Sequence, residues 1–177
     1  MGAIESPAST VVGDARLLEG FEYWCRKAAG RSMPSRADID PAEIPKLLPH
    51  VRLVDAVGPG RYRYRLVGTE VRKLHGKDPT GRYVHETIAG PVGARIISIY
   101  DECVRTRRAI YLEIEFLDEK LSGLHRRSKM VFAPLSVDGH VVNQFIVFQV
   151  ILAAGRFVNY SGDAYSGQFK EIAYAPL

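Results

Sequence analysis

The run Arg61-Tyr-Arg-Tyr-Arg-Leu-Val67 alternates basic and apolar residues at each step and then breaks at Gly68. A repeat of two belongs to a pleated strand, so Tyr62, Tyr64 and Leu66 are expected on one face and Arg61, Arg63 and Arg65 on the other. The chain then passes Gly76 and Gly81, which divide the next stretch into short helical turns. A strand with one wet face running straight into brief helices points to an α+β architecture built on an antiparallel sheet.

The remaining elements follow from the same kind of spacing. Leu17, Leu18, Phe21, Trp24, Cys25 and Ala28 recur at three- and four-residue steps opposite Arg16, Glu19, Glu22, Arg26 and Lys27, which predicts an amphipathic helix over 14–29 stopped by Gly30. Its apolar stripe needs a partner, the chain's own sheet or a second copy, and Leu17, Phe21 and Trp24 are the expected dimer contact. Asp40, Pro41 and Glu43 carry the cap, first-turn proline and acid of a short helix that Pro45 and Pro49 keep brief. Residues 51–57 and 61–67 form a hairpin through Gly58-Pro59-Gly60. Pro91 opens a longer helix with Val92, Ile96, Ile99, Tyr100 and Cys103 on one face. Three strands follow, at 109–117, 125–137 and 140–152, the last two joined by Asp138-Gly139 as a two-residue turn. Residues 141–152 are apolar on both sides, the mark of a central strand covered above and below.

With 177 residues and 46% apolar content the chain can close one core. Residues 1–13 lack periodicity and read as a flexible arm, and 155–177 as an aromatic tail with no clear period. No apolar run reaches the ~18 residues of a membrane span and no basic segment leads into an apolar one, so a cytoplasmic location is expected. Cys25 and Cys103 lie far apart without a CxxC spacing, which fits two buried thiols in a reducing compartment.

Reaction motifs fail one by one. His85-Glu86 has Ala89 where a zinc helix needs its second His. Gly76-Lys77 lacks the first glycine of a phosphate loop, since Val71 stands there, and Arg63 breaks a dinucleotide fingerprint begun at Gly58. No G-x-S-x-G elbow occurs, and Ser161 has no identifiable base. A hydrolase built on Glu113 or Glu115 with a histidine would rest on residue types alone. No metal site and no enzyme activity are expected.

Leu48-Pro49-His50, the strand end Arg65-Leu-Val-Gly68-Thr69, the connector Gly76-Lys-Asp-Pro-Thr-Gly81, and Ala133-Pro134-Leu135 with Asp138-Gly139 resemble the PAS-type family of small bacterial proteins. The resemblance covers 14–152. It implies a PAS-like five-stranded antiparallel sheet with short connector helices, one long helix and the amphipathic helix in front, in a domain spanning 14–154. It also implies a sensory or interaction module that cradles a small molecule between sheet and helices and signals through a homodimer or a separate output protein. A flavin-adduct photosensor would need a connector cysteine, and residues 68–90 contain none. Haem-binding relatives place an axial histidine on or just before the long helix; residues 91–108 contain none, although His85 lies shortly before it and Cys103 within it. The cofactor is left unassigned.

Within that frame Tyr62, Tyr64, Tyr83, Tyr100 and Tyr111 offer apolar bodies with hydroxyl tips, suited to a mostly apolar pocket. The expected ligand set is Tyr64, Tyr83, His85, Arg95, Ile96, Tyr100, Met130 and Gln144, with His85, Arg95 and Gln144 as polar anchors. A rival reading gathers Arg61, Arg63, Arg65, Arg126, Arg127 and Lys129 into one basic sheet face for nucleic acid or an acidic partner, within a net charge of +4. Against it, the tyrosines of the second strand point away from its arginines, so stacking and phosphate contact cannot come from one face.

Overall fold

The computed structural model describes residues 13–118, 124–152 and 170–173. Helix α1 (Ala15–Ala28) starts where the Asp14 carboxylate accepts a hydrogen bond from the Arg16 N–H at 3.0 Å. Its stop differs from expectation. Ala29 takes the first left-handed position (φ 49°) ahead of Gly30 (φ 82°). An alanine costs more there than glycine would, and the Arg31 side chain offsets this by donating to the Ala28 and Lys27 carbonyls at 3.0 and 2.8 Å. Three short 3-10 turns follow (Arg36–Asp38, Pro41–Glu43, Leu48–His50), the second capped by Asp40.

Strands β1 (Val51–Gly58) and β2 (Arg61–Val67) form the first hairpin. The connector carries helices α2 (Thr69–His75), α3 (Val84–Thr87) and the long α4 (Gly90–Thr106). Strands β3 (Ile110–Asp118), β4 (Leu124–Leu135) and β5 (Gln144–Ile151) complete the five-stranded sheet. Every pairing is antiparallel, in the order β2-β1-β5-β4-β3-β6. The sixth strand, β6 (Lys170–Ala173), comes from the tail and pairs with β3. It went unread in the sequence because its four residues have no pattern of their own. The tail aromatics, and the arm apart from Gly13, lie outside the described residues.

β5 is central and buried on both sides, as its apolar run requires. On the outer face Phe148 sits directly under Gly20 of α1, where a Cβ would come within 2.5 Å of the ring. Leu17, Phe21 and Trp24 are buried against the chain's own sheet, and the Trp24 indole donates to the Pro134 carbonyl at 2.8 Å. The surface expected to meet a second copy is therefore already covered within the chain. Tyr23, absent from the expected stripe, is buried too. Its hydroxyl both accepts from the Asp40 N–H at 2.8 Å and donates to the Asp40 carbonyl at 3.2 Å, tying α1 to the turns before β1.

Two local expectations fail for reasons of register. The β1–β2 pairing slips at Arg65: Leu53 faces Leu66 while Val54 faces Tyr64. This bulge reverses the parity, so Leu66 is 46% exposed and Val67 takes the buried place. Asp138-Gly139 is no two-residue turn either, since β4 ends at Leu135 and β5 begins at Gln144. The Asp138 carboxylate accepts from the Val141 and His140 N–H groups and the Ser136 hydroxyl, which holds it down at about 2. Asn143 accepts from the Val137 N–H. Above the backbone bond from the Asn143 N–H to the Leu135 carbonyl at 3.0 Å, side chains thus close this loop.

The connector roofs the inner face. Asp101 of α4 accepts from the Gly60 N–H at 3.0 Å and the Tyr62 hydroxyl at 2.5 Å, pinning the long helix to the β1–β2 turn. Along β2, the Gly81 N–H donates to the Tyr64 carbonyl at 2.7 Å and the Tyr64 N–H to the Arg82 carbonyl at 2.9 Å. Gly93 lets α4 approach the Ile88 carbonyl, which a Cβ would meet at 2.0 Å.

Gly20→Ala separates helix propensity from packing. Alanine favours the helix by about 1 kcal/mol, whereas forcing a methyl group onto a buried ring costs roughly 1–3 kcal/mol or more. The ring belongs to the central strand and has nowhere to retreat, so urea denaturation should show a net loss of about 1–2 kcal/mol. The exposed Glu22→Ala control should stay within about 0.5 kcal/mol.

Candidate functional site

The inner face of the sheet gathers alternate residues of four strands beneath α4. Tyr62 and Tyr100 stack with centroids 4.6 Å apart, and Phe145 and Phe132 meet Tyr100 edge-on, each at 4.9 Å. Ile96, one turn before Tyr100, is buried on the same side of α4. These residues make an aromatic floor and wall.

Polar groups interrupt that apolar lining. Arg52 of β1 is 1% exposed and pairs across the sheet with Val147, which places it on the inner face with Tyr64 and Tyr100. Its Nη2 donates to the Met130 sulfur at 3.2 Å and its Nε is buried without a partner. No carboxylate ion pair to it is found among the described residues. The hydroxyls of Tyr64 and Tyr100 are likewise buried and unpaired. Gln149, opposite Met130 in the ladder, donates through Nε2 to the Ser128 hydroxyl at 2.8 Å, while its Oε1 has no partner. Burial pushes the Tyr100 hydroxyl well above the usual tyrosine range, the Arg52 charge pulls the other way, and the Tyr64 phenol adds to the rise. Arg52 and Tyr64 therefore both act on Tyr100 electrostatically.

Of the residues expected at a ligand site, Tyr64, Ile96, Tyr100 and Met130 meet here. Gln144 does not: alternation puts it on the opposite face from Phe145, where its Nε2 donates to Asp55 at 2.7 Å. Tyr83 stands outside β2, bridged to Arg63 and stacked at 5.4 Å on the exposed His85, with the Arg61 guanidinium over its ring at 5.1 Å. Arg95 is half-buried and donates to the Ser98 hydroxyl at 3.1 Å. Tyr111 faces away from this cluster and donates to Glu113 at 3.0 Å. Arg52, Ser128 and Gln149 escaped the sequence reading. One signal was available, because period two puts Arg52 on the face of Val54 and Ala56, an odd place for a guanidinium.

The basic groups do not share a platform. Arg63 and Arg65 flank Asp55 at 3.3 and 3.8 Å, and Arg127 pairs with Glu113 at 3.3 Å. Asp55 sits in the row of Gln144 and Leu135, eight positions along β4 from Arg127, about 26 Å. Helix α1 packs on β4 and β5 between the two groups. Cys103 is buried, with its thiol pushed up by that burial, whereas Cys25 is only half-buried, against the expectation of two buried thiols. Among the described residues, no three His, Cys, Asp or Glu side chains gather as a metal would require, and no helix is long and apolar enough to cross a membrane.

The family model described as a PAS domain matches residues 14–147, and the chain belongs to that family. PAS domains generally serve as sensory or interaction modules. No curated protein sequence matches the chain. Among solved structures the chain is similar to VqmA of Vibrio cholera in complex with ligand and DNA, at 13% identity and TM-score 0.49, covering 64% of this chain and 51% of that one. It is similar also to the LOV protein of Rhodobacter sphaeroides, at 14% identity and TM-score 0.44, covering 64% and 69%. An RNA-binding light-oxygen-voltage receptor follows at 16% identity and TM-score 0.43, covering 66% and 35%. The chain thus spans about half the length of the VqmA chain it matches.

Burial is the main cause that raises both Tyr62 and Tyr100, and the bond to Asp101 adds to the shift of Tyr62. Above pH 10 the unfolded chain releases these protons while the native state keeps them. The stability these two phenols contribute is therefore fully present below pH 10 and declines as pH rises beyond it. Tyr100 alone should contribute a slope of about 1.4 kcal/mol per pH unit. Urea midpoints between pH 9 and 11 should fall in the native protein, and less steeply in Tyr100→Phe.

Proposed function

We propose that the chain is a sensory module that binds a small molecule between the inner sheet face and the connector, residues 69–90. Occupancy is reported through contact with a second copy or a separate signalling protein. The observation that carries this reading is the group of buried, unpaired polar atoms on Arg52, Tyr64, Tyr100 and Gln149. Each orphaned polar group costs roughly 1–3 kcal/mol, and folded proteins retain few of them. Four in one aromatic-lined patch fit a surface shaped for an occupant better than a core shaped for stability.

The mechanism is a population shift. A ligand that satisfies the inner-face groups favours the arrangement in which the connector lies closed over the sheet, and the connector's outer surface changes with it. The glycines between α2 and α3 act as the joints of that movement. Since the stripe of α1 is used within the chain, the reporting contact belongs to other surfaces. The scattered, paired arginines give the nucleic-acid alternative no comparable support.

Native mass spectrometry of the purified protein, followed by hydrogen exchange of liganded and stripped samples, tests the proposal. The expected result is a releasable small-molecule adduct whose presence slows amide exchange within 69–90. A bare chain mass, together with no change in melting temperature across a metabolite library, would overturn it.

A further inference from the structure

Resting on the ligand-binding reading above, we infer that the occupant is a small organic monoanion, an aromatic or short apolar carboxylic acid, whose carboxylate is held by Arg52 with Tyr64 and Tyr100. A guanidinium cannot shed its charge at any physiological pH. A partly exposed arginine can lean on water, but Arg52 is 1% exposed and its one polar contact is a thioether. A buried cation with no counter-charge is strongly unfavourable, and the usual remedy is a hydrogen-bonded anion. The planar fork of the guanidinium suits a carboxylate, which can accept two of its N–H groups at once.

The neighbouring groups narrow the chemistry. The buried, unpaired Tyr64 and Tyr100 hydroxyls offer two further donors. A single cation with neutral donors balances one negative charge, so a phosphate monoester, which is close to dianionic at pH 7, would be left with an uncompensated charge. Gln149 Oε1 is an acceptor, placed to receive a hydroxyl or amine from the acid's body. The rest of that body would meet Tyr62, Phe132, Phe145 and Ile96, all apolar surface.

Benzoate, phenylacetate and hydrocinnamate, each against its uncharged amide, are the probes, read by thermal shift and calorimetry at pH 7 on the full chain. At least one acid should bind about tenfold or more tightly than its amide and raise the melting temperature with concentration. Arg52→Met should abolish that preference while melting, without ligand, at or above the native temperature, since a buried lone charge is replaced by an apolar chain of similar length. Tyr64→Phe and Tyr100→Phe remove hydroxyls that bond nothing in the chain, so their ligand-free melting should hold while acid affinity falls several-fold.

Equal binding of acids and amides would sink the anion assignment and leave the pocket standing. The same holds for acid binding that Arg52→Met does not weaken, which would place the anion elsewhere. If Arg52→Met melts far below the native protein without ligand, Arg52 is a structural residue and the inference fails. If neither series binds and the native mass is the bare chain, both the anion and the sensory reading fall.

Discussion

The constraint on which the molecule rests is the two-sided burial of β5. Its outer residue Phe148 carries α1 through the gap left by Gly20, and its inner residue Phe145 carries the aromatic group beneath α4. A strand buried this way forbids slippage, because a shift of one position would drive Gln149 and Gln144 under the opposite layers. It also means that any polar atom on its inner side must be paired within the protein or by what the protein binds. Gln149 meets half of that demand through Ser128 and leaves the other half open.

Much of this architecture was legible because local patterns agreed with the tertiary fold. The spacing of Leu17, Phe21 and Trp24, the alternation of Tyr62 and Tyr64, and the proline at the start of α4 each matched what packing later required. Two of the failures, at Leu66 and at β6, have their origin in partners on other strands, and one, at Asp138-Gly139, in a side chain that competes locally with the tight turn. Leu66 was misplaced because a bulge is a property of two strands, and the second strand's alternation looked unbroken by itself. Asp138-Gly139 reads as a tight turn until the carboxylate of Asp138 is seen closing a longer loop. β6 is a strand only by virtue of β3.

The site divides along the same line. Tyr64, Ile96, Tyr100 and Met130 were visible as apolar or aromatic residues on faces that periodicity could assign. Gln144 was assigned to the wrong side because its parity depended on where β5 begins. Arg52 was missed because charge ordinarily marks a wet surface, and only the roof supplied from residues 69–106 makes its position dry. Proteins tolerate such departures from local rules mainly where function needs them, and the buried guanidinium is the largest departure on the inner face.

The main chain of Tyr64 adds one more consequence. Its carbonyl and N–H are both taken by Gly81 and Arg82, while its side chain points into the interior. A single residue is thus fixed to the connector at its backbone and buried on the inner face at its unpaired tip. A displacement of the phenol would reach residues 81–82 through two main-chain hydrogen bonds, with no relay of packed side chains in between. Under the proposed sensory reading, contact with an occupant and displacement of the connector would fall to one amino acid, leaving no longer chain of contacts for surface drift to erode.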